Sequence, residues 1–165
     1  MMNQKITPPA QALQRLAALC AKAEYCGADI QRKLARWQLD ADPDADQAAK
    51  QHILDQLVEG GYIDEARYAH AFVRDKFRYN HWGQQRIARE LRLRRIPQTL
   101  IDDALEEITP HDALHTLRQL VQRKRSSVTG RSPYEINQKL IRYALSRGFD
   151  MDDILRVVGQ PTDDD

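Results

Sequence analysis

Only two cysteines, Cys20 and Cys26, occur in 165 residues. They match no four-ligand metal spacing and read as reduced thiols of a cytosolic protein. Strand signals are missing too. Apolar and polar residues do not alternate, and valine and threonine are scarce, so a sheet is not expected. No apolar run approaches the length needed to cross a bilayer, and none follows the first methionine, so neither a spanning helix nor a signal segment is expected. Catalytic patterns are absent as well: there is no Gly-x-Ser-x-Gly, no glycine-rich phosphate cradle with its lysine, and no cysteine in a charged setting. His111 and His115 stand four apart, as a two-histidine ligand pair would, but no third ligand is evident. No metal, cofactor or catalytic residue is expected, and the chain does not read as an enzyme.

Net charge is also missing, at +1 overall, but this near-zero value hides segregation. Residues 1–73, 74–95, 96–117, 118–147 and 148–165 carry −2, +6, −5, +7 and −5 in turn. Two basic blocks therefore alternate with acidic ones.

What is present is helical periodicity. Leu13, Leu16 and Leu19 form one apolar stripe, Ile30, Leu34 and Trp37 a second, and Ile53, Leu57 and Val58 a third. Thr7-Pro8 and Thr109-Pro110 read as N-caps with proline at the first helical position. Ser132 to Glu135 reads as a capping box, and Asp150 as a further cap. Nine helices follow, near 10–23, 27–38, 46–59, 64–79, 83–95, 97–107, 110–125, 133–147 and 150–158. The stretch from Leu39 to Asp46, with Pro43 and four aspartates, reads as a solvated acidic loop. The end of the chain, QPTDDD, is expected to fray.

An Ile-x-x-x-Leu pair recurs at Ile30/Leu34, Ile87/Leu91 and Ile136/Leu140. Each is followed by a turn with an anchor, at Gly61-Tyr62, Arg95-Ile96 and Gly148-Phe149, and then by an acid-led helix. Small helical units cannot each bury a face alone, so they are expected to stack into an elongated, curved array. The expected division is 1–60, 61–108 and 109–165.

The basic blocks are the remaining functional signal. The first holds Arg74, Lys76, Arg78, Arg86, Arg89, Arg92, Arg94 and Arg95. Arg86, Arg89 and Arg92 follow a three-residue step that places their guanidinium groups along one side of a helix, while Ile87 and Leu91 point inward. The second holds Arg123, Lys124, Arg125 and Arg131, followed by Lys139 and Arg142. These fourteen residues are the candidate contacts for a polyanion or an acidic protein groove. Tyr68, Phe72, Phe77 and Trp82 are expected in the core. Tyr79 and Trp82 stand just before the basic helix, where a ring either stacks on a base or packs.

The segment GGYIDEARYAHAFVRDKFRYNHWGQQRIARELRLRRI resembles the signature of the RecX family, regulators of the bacterial recombinase RecA. The residues that carry the likeness are Gly61, Tyr62, Ile63, Asp64, Glu65, Tyr68, Phe72, Gly83, Ile87, Glu90 and Leu91. The earlier EYCGADIQRKL and the closing Gly148-Phe149-Asp150 with Ile154 fit as well, so the likeness spans residues near 13–158. The chain departs from the pattern at Arg95, where the family has glycine, so this helix end is not expected to use a left-handed cap. Cys26 and Gly27 replace a more polar helix entry. The resemblance implies an all-α protein of three tandem three-helix repeats. It also implies binding along the groove of the RecA–single-stranded DNA filament, in the cytoplasm, with inhibition of ATP hydrolysis, strand exchange and co-protease function. A monomer is the default. The alternative is a helix-turn-helix-like regulator that binds duplex DNA, for which Gln84, Gln85 and Arg89 offer a weak reading face.

Overall fold

A computed structural model describes residues 5–159. Among these residues there are nine helices and no strand: α1 (Pro9–Lys22), α2 (Gly27–Leu34), α3 (Pro43–Glu59), α4 (Glu65–Arg78), α5 (Gln84–Leu93), α6 (Gln98–Leu105), α7 (Pro110–Arg125), α8 (Pro133–Ser146) and α9 (Met151–Val158). The expected fraying of QPTDDD lies outside the described residues.

The ends of these helices follow from local chemistry. Thr109 Oγ accepts from the Asp112 amide at 3.1 Å, and Pro110 opens α7. Ser132 Oγ accepts from the Glu135 amide at 3.2 Å, while the Glu135 carboxylate reaches back to the Arg131 amide at 2.8 Å, one residue beyond the box's usual partner. Three expectations need correction. Pro8, not Thr7, occupies the N-cap of α1, and the Thr7 amide instead donates to the Gln38 carbonyl at 2.8 Å. The helix α2 ends at Leu34 instead of 38, where the backbone tightens into turns with the Arg36 amide on the Lys33 carbonyl and the Trp37 amide on the Leu34 carbonyl, and Gln38 then forms a single β-bridge with Ile6. The Leu39–Asp46 stretch is a solvated loop only over the exposed residues 40–42. Pro43 is the first residue of α3, Asp42 caps it through the Ala45 amide at 2.9 Å, and Leu39 is buried. Proline has no amide hydrogen to lose at a helix start, so it favours helix there.

The chain divides into two compact units, and the division falls inside α4. One unit runs to Ala71 and includes Arg94–Ile96. Its core joins Ala12 and Leu16 of α1, Ile30 and Leu34 of α2, Ile53 and Leu57 of α3, and the flanking Leu39 and Ile63. Val58 lies outside this stripe at 53 % exposure, and Ile63 is the buried anchor while Tyr62 is exposed. Glu24 pairs with Arg67 at 2.6 Å, and Glu65 accepts from the Gly27 amide at the start of α2 at 2.9 Å. Burial pushes the thiols of Cys20 and Cys26 above their ordinary range.

The other unit takes Phe72–Leu93 and the residues from Pro97 onward. Here α5 packs on α6, and α7, α8 and α9 pack on one another around Leu117, Leu120, Val121, Leu140, Ile141, Ala144, Phe149, Ile154 and Val158. The start of α5 meets the end of α8 backbone to backbone. The Gly83 amide donates to the Arg147 carbonyl at 2.7 Å, and the Gln85 amide to the Gly148 carbonyl at 3.0 Å. Free donors at one helix start thus satisfy free acceptors at another helix end, with the two dipoles aligned favourably. The approach is close enough to require glycine. A Cβ on Gly83 would lie 2.3 Å from the Gly148 carbonyl oxygen, and one on Gly148 would lie 2.3 Å from Arg86 Cβ.

Arg95 overturns its expectation. It adopts φ +59°, in the left-handed region where Gly61 and Gly148 also sit. The turn keeps its left-handed geometry without the residue that adopts it most easily.

Candidate basic groove

The α4–α5 junction is built around Trp82. Phe72 meets this ring edge-on at 6.3 Å between centroids. The Lys76 ammonium stands 4.9 Å from the ring centre and the Arg86 guanidinium carbon 4.1 Å from it. Trp82 and Phe77 are thus only half-buried, whereas Tyr68 and Phe72 lie in the core as expected. The Nε of Arg86 is buried with no hydrogen-bond partner among the described residues, so the ring face answers part of its charge.

From this junction α5 runs with Ile87, Ala88 and Leu91 buried and Arg89 and Arg92 exposed. Its basic side lines a groove of about 530 Å³ with Gln84, Gln85, Arg86, Ala88, Arg89 and Arg92, to which Leu105, Leu145 and Gly148 also contribute. The three-residue arginine step is therefore brought to one place. Arg92 donates from Nε to Gln98 Oε1 at 2.9 Å, and Gln98 is tethered to Asp102 at 2.7 Å. No carboxylate pairs with Arg86 or Arg89 among the described residues. The groove therefore joins uncompensated positive charge, amide groups and the half-exposed Leu145. Such a surface can hold carboxylates or phosphates.

The other candidate cations are dispersed and differently occupied. Arg74 faces Glu107 at 3.6 Å, an exposed pair that contributes little. Arg78 is exposed at the end of α4. Arg94 hydrogen-bonds the Tyr68 phenol, whose titration burial pushes well above its ordinary range. Arg95 is exposed. In the second basic block Lys124 and Arg147 flank the Tyr143 ring at 4.7 and 5.7 Å. Arg125 reaches Asn137 at 3.4 Å. Lys139 donates to the Thr129 carbonyl at 2.6 Å and sits 3.7 Å from Glu135, so it holds the preceding loop. Arg123, Arg131 and Arg142 are exposed. Sequence periodicity placed neither Leu105, Leu145 nor Gly148 beside the arginines and glutamines of α5. Only the fold brings these distant positions to one groove.

His111 and His115 have rings 6.5 Å apart and nearly parallel, and both are exposed. No group of three or more metal-binding side chains occurs among the described residues. Among those same residues no helix is long and apolar enough to cross a membrane.

Residues 64–105, which carry α4 to α6, match the family model described as RecX, second three-helix domain. Residues 112–158, which carry α7 to α9, match RecX, third three-helix domain. The chain is 36% identical over 149 residues to the regulatory protein RecX of Pseudomonas fluorescens, covering 88% of this chain and 89% of that protein. It is 29% identical over 155 residues to the regulatory protein RecX of Vibrio campbellii, covering 93% and 94%. Its fold is similar to a crystal structure of regulatory protein RecX, with TM-score 0.79 at 22% identity over 92% of this chain and 73% of that one. It is also similar to the crystal structure of RecX from Lactobacillus salivarius, with TM-score 0.73 at 19% identity over 91% and 94%.

Proposed function

Since the chain belongs to the RecX family, we propose that it regulates the bacterial recombinase RecA by lying along the groove of the recombinase–single-stranded DNA filament. It acts by binding and not by catalysis, as a cytoplasmic monomer whose helical modules, 1–60, 61–108 and 109–165, touch more than one filament subunit. Many modest contacts then add through multivalency. A protein that prefers one arrangement of neighbouring subunits biases the filament toward it, which lowers ATP hydrolysis, strand exchange and co-protease activity.

The observation that supports this reading most directly is the α5 groove, where Arg86 and Arg89 lack counter-charges and Arg92 stands beside them. A body of net charge +1 has little long-range pull on a polyanion, so affinity must come from local concentrations of charge such as this one. In the triple variant Arg86→Ala, Arg89→Ala, Arg92→Ala, binding to preformed filaments should weaken. Its dependence on salt should flatten by roughly 0.7 in log–log slope for each phosphate that is no longer neutralised. Inhibition of recombinase ATP hydrolysis should fall in parallel. Unchanged affinity in this variant would remove the groove from the interface. Tighter binding to bare duplex than to recombinase-coated single strands would favour a duplex-reading regulator instead.

A further inference from the structure

Among the described residues the most exposed large hydrophobic side chain is Tyr79, at 79 %. Its ring and hydroxyl have no hydrogen-bond, ion or ring partner among the described residues. The loop that presents it is nevertheless tied down. The Tyr79 amide donates to the Asp75 carbonyl at 2.9 Å, the Trp82 amide to the Lys76 carbonyl at 3.1 Å, and the Gly83 amide to the Arg147 carbonyl at 2.7 Å. Between them His81 takes φ +54°, a left-handed turn in a residue with a full side chain. The neighbouring Trp82 is already engaged by Lys76 and Arg86, so its ring is occupied. The neighbouring Arg78 and Asn80 are exposed and polar.

We infer that Tyr79 is a stacking platform for one unpaired base of single-stranded nucleic acid, with the Arg78 guanidinium holding an adjacent phosphate. A flat ring with two side-chain torsions on an anchored loop loses little freedom on contact. Every base offers a π-face, so such a platform is indifferent to sequence but demands a base. Duplex bases are stacked on each other and leave no face for it. This inference rests on the reading above only in that single-stranded DNA lies within the protein's reach; it adds that the strand is touched directly and by a named side chain.

The test uses the whole chain without recombinase, and fluorescein-labelled strands at one fixed salt concentration. One strand is oligo-dT and the other is an abasic deoxyribose-phosphate strand of equal length and charge. Wild-type protein should bind oligo-dT more tightly than the abasic strand. Tyr79→Ala should weaken oligo-dT binding roughly five- to a hundredfold, leave abasic binding unchanged and so erase the preference. Tyr79→Trp should retain it. Arg78→Ala should weaken both strands equally. Equal binding of the two strands by wild type, an unaltered preference in Tyr79→Ala, or no binding to either strand would each overturn the inference. None of these outcomes bears on whether the protein slows recombinase ATP hydrolysis through protein contacts, which is measured separately on filaments.

Discussion

Two glycines fix how the start of α5 meets the end of α8, and they do so for different reasons. Gly83 needs room, because an added Cβ would strike the Gly148 carbonyl at 2.3 Å. Gly148 needs both room and its backbone angle, at φ +93° with Arg86 against it. Gly83→Ala should lower stability by roughly 1–3 kcal/mol through the clash alone. Gly148→Ala should cost more, because strain of about 1–3 kcal/mol adds to it. Urea denaturation of the two variants should show both losses, and that order. Arg95 is the opposite case. It holds φ +59° against a cost of about 1–2 kcal/mol for a residue with a Cβ. Arg95→Gly should therefore raise stability by roughly 0.5–1 kcal/mol, after the extra freedom of glycine in the unfolded chain is deducted. A shift of the urea midpoint to lower concentration would contradict this.

At the scale of elements, the start of α3 shows how local charge sets a boundary. The Asp46 carboxylate accepts from the amides of Leu39 at 2.6 Å and Asp40 at 3.2 Å, and pairs with Lys50 at 2.8 Å. The bond from Lys50 and the one from the Leu39 amide hold its titration below the ordinary carboxylate value of 3.8. A depressed carboxyl stabilises the folded state at neutral pH, and that contribution fades as pH falls through the folded value. Asp46→Asn should thus cost roughly 1 kcal/mol at pH 7. The gap from wild type, measured by thermal unfolding, should hold above about pH 5 and narrow as the pH falls below about 4. A gap independent of pH would show that the charge of Asp46 is immaterial. This helix start is also where sequence reasoning failed. Proline and clustered aspartates disfavour a helix interior but favour a helix start, and composition does not tell the two apart. Most other helices were legible, because Thr109, Ser132 and Asp150 signal their caps on the chain itself.

Over the whole molecule, the charge blocks visible in the sequence do not act as blocks. Arg74 is paired, Arg94 attends a phenol, Lys139 steadies a loop, and Lys124 lies over a ring. Helical spacing alone identified Arg86, Arg89 and Arg92 as neighbours. It gave no sign of Leu105 and Leu145, because these reach the groove only where α6 and α8 are brought to it by the fold. The Arg95 turn was misjudged for a related reason. A left-handed residue is read from glycine, whereas here the surrounding fold imposes the angle.

The joint between α5 and α8 links residues far apart in sequence yet closes through main-chain amides and carbonyls. Its hydrogen bonds use no side chain, so Arg89 and Arg92 can change while the helix that carries them keeps its aim. The same joint binds the fate of the wall to a distant helix. Excising α8 would leave the donors of Gly83 and Gln85 unanswered, and cutting the protein at its apparent module seams would damage the surface such a dissection sets out to isolate.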